Sequence, residues 1–190
     1  GVAAASDSTR IIIAAGFAAT FAESIAMAGV AYTSKMAEKD YYEGELAREK
    51  KEIKEIPEAE VQEIRDIYRE KGFKGGLLTE IVKTITADEK IWLETMMREE
   101  LKLLPINRQE VIRGAMVVGL ASFIGSLIPL LPFLLFSPKS GIIFSVFISA
   151  LALFLVGIYK ARLTIGRPVK SGIELVMIGI TSALIGYFIG

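Results

Sequence analysis

The sequence predicts an all-α, polytopic membrane helix bundle with a charged three-helix insert. Uncharged stretches cover residues 114–138, 140–159 and 175–190, and about 20 apolar residues cross the hydrocarbon core of a bilayer as a helix. Residues 11–34 form a fourth such run, broken by a single charge, Glu23. The segment 35–109, in contrast, holds 18 of the 22 acidic residues. A hydrophobic content of 52% is high for a water-soluble domain and ordinary for a small membrane protein.

The elements follow in order. Gly1–Arg10 reads as a polar loop, with a helix starting at Ser8 or Thr9. The chain begins with Gly rather than Met, so a preceding segment is expected, and no basic region before the first apolar run suggests a signal peptide. The first span, about 11–34, is rich in Ala and Gly, which let helix backbones approach closely in lipid. Its helix is expected to continue into the insert and to end at Pro57. A second insert helix is expected from about Glu58 to Lys71, stopping at Gly72. Val61, Ile64, Ile67 and Tyr68 give it an apolar face. A third is expected from Leu77 to Leu103, with an interruption near Thr86–Asp88 and a stop at Pro105. Further spans are expected at about 111–136, 140–160 and 171–190, with Pro129 and Pro132 kinking the first of these. The domain boundaries are 1–35 for the N-terminal loop and first span, 36–106 for the insert and 107–190 for the remaining spans.

Basic residues set the orientation. The loop at 160–170 carries Lys160, Arg162, Arg167 and Lys170, against Lys139 alone at 137–140 and Arg10 alone before the first span. The 160–170 loop and the insert, with its 15 Lys/Arg, are therefore expected on the cytoplasmic side and the C-terminus on the other.

There is no cysteine and no histidine, which removes disulfides, thiolate sites and the usual zinc ligands. No phosphate-cradling loop, no nucleophile with a histidine base and no basic–aromatic pattern for nucleic acid is present. The chemistry is left to carboxylates and thioethers. Glu23 sits inside a span, where a carboxylate costs about 2.5–3.5 kcal/mol and is usually paired or functional. Met27 follows on the same face. In the insert, Glu49 and Glu52 are three residues apart, with Glu45 one turn earlier. Glu60 and Glu63 form a second such pair, and Met96, Met97 and Glu100 a third group. Antiparallel helices can bring such sets together as one metal site. The same spacing equally serves exposed salt bridges with Lys50, Lys51 and Lys54, and methionines equally serve a core.

The stretches AESIAMAGVAYTS, YYEGELAREKKEI, TADEKIWLETMMREEL and SFIGSLIPLLPFLL resemble, in that order and spacing, the vacuolar iron transporter family. The resemblance covers nearly the whole chain. It implies five spans per subunit, a homodimer with a path at its interface, and export of cytosolic Fe²⁺ in exchange for protons. The destination would be a vacuole in a eukaryote or the outside of a prokaryotic cell. It places the family's metal-capturing residues on Glu49, Glu52, Glu60, Glu63, Met96, Met97 and Glu100, and its membrane path on Glu23 and Met27. The family also has an aspartate-bearing span earlier than the first one here; Asp7 lies in the loop that follows its expected position. The ion is then cargo, with no prosthetic group expected and no enzymatic activity. A membrane-anchored protein that stores, senses or oxidises iron without moving it is the alternative, and a scaffold with a partner-binding insert is a third reading.

Overall fold

The computed structural model describes residues 2–189, and among them all regular structure is helical. The elements are α1 (Val2–Ala5), α2 (Thr9–Glu55), α3 (Pro57–Glu70), α4 (Gly75–Thr86), α5 (Glu89–Thr95), a π-helical turn (Met96–Glu100), α6 (Arg108–Leu127), a 3₁₀ turn (Ile128–Leu130), α7 (Leu131–Leu135), α8 (Pro138–Leu163) and α9 (Pro168–Ile189). Four stretches are long and apolar enough to cross a membrane: Thr9–Glu55, Arg108–Leu135, Pro138–Leu163 and Pro168–Ile189. The chain groups into two compact units, one made of residues up to Gly29 with those from Ala115 onward, the other of Val30–Gly114.

In the first unit, the most closely packed pair is α8 and α9. Their backbones nearly touch: a Cβ added at Gly157 would stand 2.6 Å from the Cα of Gly172 and 2.7 Å from the carbonyl oxygen of Ser171. Such glycine contacts replace the hydrophobic drive that lipid cannot provide. At Gly119 on α6, an added Cβ would lie 2.9 Å from the Ala28 Cβ of α2. Phe21 and Phe123 stack beside that crossing, with ring centroids 5.2 Å apart. Pro129 and Pro132 act as the sequence suggests, converting the end of α6 into a 3₁₀ turn followed by the short α7. One expectation fails at the N-terminus, where Val2–Ala5 forms a helical turn in the segment read as loop; it packs on α8, a tertiary contact that local composition does not signal.

In the second unit, α3, α4, α5 and the π turn close around Ile53, Ile64, Leu78, Val82, Ile85, Trp92 and Met96. Pro57 occupies the first turn of α3, where its missing N–H costs nothing. Gly72, at φ +98, ends the helix. Its N–H bonds the carbonyl of Arg69 and that of Phe73 bonds Tyr68, while the Tyr68 and Phe73 rings pack 5.9 Å apart. This is a Schellman closure with its hydrophobic contact. The third expected helix is two. Asp88 accepts hydrogen bonds from the N–H groups of Lys90 (2.8 Å) and Ile91 (3.1 Å), capping a new start. The helical chain then ends at Glu100, short of Leu103, and Gly75-Gly76 opens α4 instead of separating it from the chain before.

Ile64 has no exposed surface and sits centrally in this core. Ile64→Ala is expected to cost about 2–5 kcal/mol, read as faster amide exchange across residues 57–86 with exchange in α8 and α9 unchanged.

Candidate metal site

The second unit builds the site. The α2 helix presents Glu45, Glu49 and Glu52, α3 presents Glu60 and Glu63, and the π turn presents Met96, Met97 and Glu100. Glu49 and Glu60 are only 2% exposed, as buried as the core around them. Each leaves one carboxylate oxygen, Oε2, buried without a hydrogen-bond partner among the described residues. An unsatisfied buried anion is expensive, so these two oxygens point to a cation or a proton.

The electrostatics agree. Burial pushes the Glu60 carboxyl up to about 7, and the charges of Glu63, Glu49, Glu52 and Glu100 push it further in the same direction. Desolvation also raises Glu100 to about 7, helped by the charges of Glu63 and Glu49 and by a hydrogen bond with Glu63, while Arg48 opposes the shift. Glu49 is raised by burial first, then by Glu52 and Glu63, again against Arg48. Five glutamates from three elements therefore act on one another: Glu49, Glu52, Glu60, Glu63 and Glu100. The neighbouring Glu99 faces elsewhere; a hydrogen bond from Lys71 holds its carboxyl below the usual range.

The remaining expected ligands fall differently. Glu45 joins the set through Arg48, whose Nη1 lies 3.0 Å from its Oε2. Met96 is wholly buried in the apolar core beside Ile64 and Trp92. Met97, 1% exposed, lines a cavity of about 200 Å³ with Tyr42, Glu94, Arg98, Leu103 and Pro105. Among the described residues no three carboxylates stand close enough together to hold a metal ion. Like charges separate without a cation between them, and a cation side chain stands among three of them.

That side chain, Arg48, is the residue sequence reasoning missed. Besides Glu45 it reaches Glu49 Oε1 at 3.5 Å and Glu52 Oε2 at 3.6 Å. The signal was present, since an arginine at 48 is within one helical turn of all three acids.

In the first unit, Glu23 accepts a hydrogen bond from the Ser126 hydroxyl of α6 at 2.9 Å. Glu23 and Met27 otherwise lie on an exposed face of α2, Met27 at 43%. Thr20 and Ser24 are buried beside them, the Ser24 hydroxyl donating to the Thr20 carbonyl at 2.6 Å.

The raised carboxyls fix a sign for pH dependence. Between the ordinary value of 4.5 and about 7, folded Glu60 and Glu100 keep protons that the unfolded chain has released. Their stabilising protonation is complete below about pH 4.5 and is lost as pH rises through 7. In chelator, amide protection of α3 should fall from pH 5 to pH 8, after correction for intrinsic exchange. Glu60→Gln should flatten that fall and protect α3 at pH 8. A wild-type profile that is flat, or unchanged by the substitution, would contradict the assignment.

A family model described as the VIT family matches residues 1–190. Vacuolar iron transporter 1 of Arabidopsis thaliana is 32% identical over 180 residues, covering 94% of this chain and 72% of the relative. Vacuolar iron transporter 1 of Tulipa gesneriana is 32% identical over 189 residues, covering 98% and 76%. Protein CCC1 of Saccharomyces cerevisiae is 26% identical over 189 residues, covering 94% and 58%.

Proposed function

The chain belongs to the VIT family, and from that premise we propose that it is a membrane transporter of iron, exporting cytosolic Fe²⁺ in exchange for protons. The observation that carries the reading is the pair of buried, unpartnered carboxylate oxygens on Glu49 and Glu60 within a set of five interacting glutamates. The relatives named as vacuolar iron transporters support iron as the cargo. Oxygen-rich sites select by geometry and availability, so Mn²⁺ is a plausible second cargo.

In this reading the insert is cytoplasmic and collects metal. Glu49, Glu52, Glu60, Glu63 and Glu100 supply oxygens, and Met97 a soft ligand beside them. Metal binding displaces the protons that Glu60 and Glu100 hold near neutrality, since a ligating carboxylate must be ionised. Arg48 neutralises the acids until a metal arrives and then withdraws; its own side chain is half exposed and free to swing out.

Glu23 and Met27 then line the membrane path. A carboxylate on an exposed face of a spanning helix is costly against lipid, which supports a homodimer whose second copy covers that face. Ser126 would orient the Glu23 carboxyl for alternate binding of metal and proton. The membrane would be a vacuolar one in a eukaryote and the cell membrane in a prokaryote.

The deciding experiment is anaerobic Fe²⁺ uptake into proteoliposomes with an acidic lumen. Uptake should depend on the pH gradient and be abolished in Glu23→Ala, while that variant still binds Fe²⁺ at the insert. Binding without gradient-dependent flux in the wild type would instead favour a membrane-anchored iron-binding protein. Arg48→Gln should tighten Mn²⁺ binding roughly fivefold at low salt, the scale of one charge pair near 4 Å in water, and less at high salt. Weaker binding in titration calorimetry would exclude Arg48 as a competing cation.

A further inference from the structure

We propose that the end of the α8–α9 hairpin holds the phosphate of an anionic phospholipid. The two helices are joined by a short turn, and beside it lies a cavity of about 410 Å³ lined by Lys160, Thr164, Arg167, Lys170, Ser171 and Glu174. Three cations and two hydroxyl-bearing residues face one carboxylate. Glu174 pairs only with Lys170, at 3.8 Å and with both side chains exposed, a weak contact that a phosphate can replace. Lys160 and Arg167 make no ion pair among the described residues, whereas in the other unit Lys35, Lys39, Arg48, Lys51, Lys54, Arg69 and Lys71 all do. From Ala115 to the end, Glu174 is the single acid against five Lys/Arg.

The depth is right for a headgroup. Residues 140–159 carry no charge, and twenty helical residues span about 30 Å, the thickness of the hydrocarbon core. Lys160 is the first charge beyond that length, where lipid phosphates lie. Basic pockets between spanning helices are a recurring form of headgroup recognition.

The turn itself favours a lipid over free phosphate. Leu163, Ile165 and Val169 project beside the cations at 67%, 101% and 60% exposure. Ile165 also sits at φ 57, a conformation that is an outlier for a β-branched residue. It occupies the closing position of α8, where the Gly166 N–H bonds the Ala161 carbonyl at 2.9 Å and glycine is the usual choice. A strained, wholly exposed isoleucine beside a basic pocket matches a ligand with a charged head and an apolar tail.

The test uses the full chain in neutral detergent, with lipid adducts counted by native mass spectrometry. Phosphatidylglycerol should bind roughly tenfold or more tightly than phosphatidylcholine of the same chain length. The combined Lys160→Gln, Arg167→Gln, Lys170→Gln variant should lose that preference, and Arg167→Gln alone should lose part of it. Lys139→Gln, at the opposite end of α8, should keep it. Ile165→Ser should weaken phosphatidylglycerol binding. Retention of the preference in both the triple and the single variant would overturn the proposal, as would equal loss in Lys139→Gln. Inorganic phosphate competing as well as the lipid, with Ile165→Ser without effect, would overturn the lipid reading in favour of a free-anion site.

Discussion

Everything in the charged unit depends on one costly arrangement, two glutamates as buried as isoleucines. Glu49 and Glu60 are each 2% exposed, and a buried carboxylate is tolerated only when something answers its charge. A proton, an arginine and a metal ion can each do so. Protons answer at Glu60 and Glu100, whose carboxyls rise to about 7. Arg48 answers at Glu45, Glu49 and Glu52. A metal would replace both, which is why the same side chains read as a capture site.

The apolar core is what makes the arrangement possible. Ile53, Ile64 and Met96 hold three helical elements together although the acids they carry repel one another. Around them the exposed charges are paired locally, as with Lys39 and Glu43 or Arg69 and Asp66. Such pairs contribute little each. Their effect is to leave the inward-facing acids as the uncompensated ones.

The membrane spans and the Glu60–Glu63 and Glu49–Glu52 pairs were legible because they rest on periodicity, and periodicity is local. Runs of twenty uncharged residues have few alternatives to a spanning helix. What escaped was tertiary or depended on geometry within a turn. Ser126 donates to Glu23 across 103 residues of sequence, and no spacing rule connects them. Met96 and Met97 looked equivalent as neighbours, but only a fold distinguishes a core position from a cavity wall. The break at Asp88 was partly visible, yet its capping bonds were needed to make it a true helix start. The π turn had no signal at all, since Met-Met-Arg-Glu-Glu is an ordinary helix-forming composition.

That turn has a consequence for how the chain tolerates change in length. A π turn carries one residue more than the α turn it replaces. Here the extra residue is accommodated between Met96 and Glu100, and the Leu103 N–H reaches back six positions to the Met97 carbonyl at 2.8 Å. Deleting a single residue would relax the turn to a regular helix and rotate whatever follows by about 100°. Glu100 would leave the acids and Glu99 would change sides, although no ligand had been substituted. Relatives that differ in length by one residue at this point should therefore be aligned by the helical face each side chain occupies.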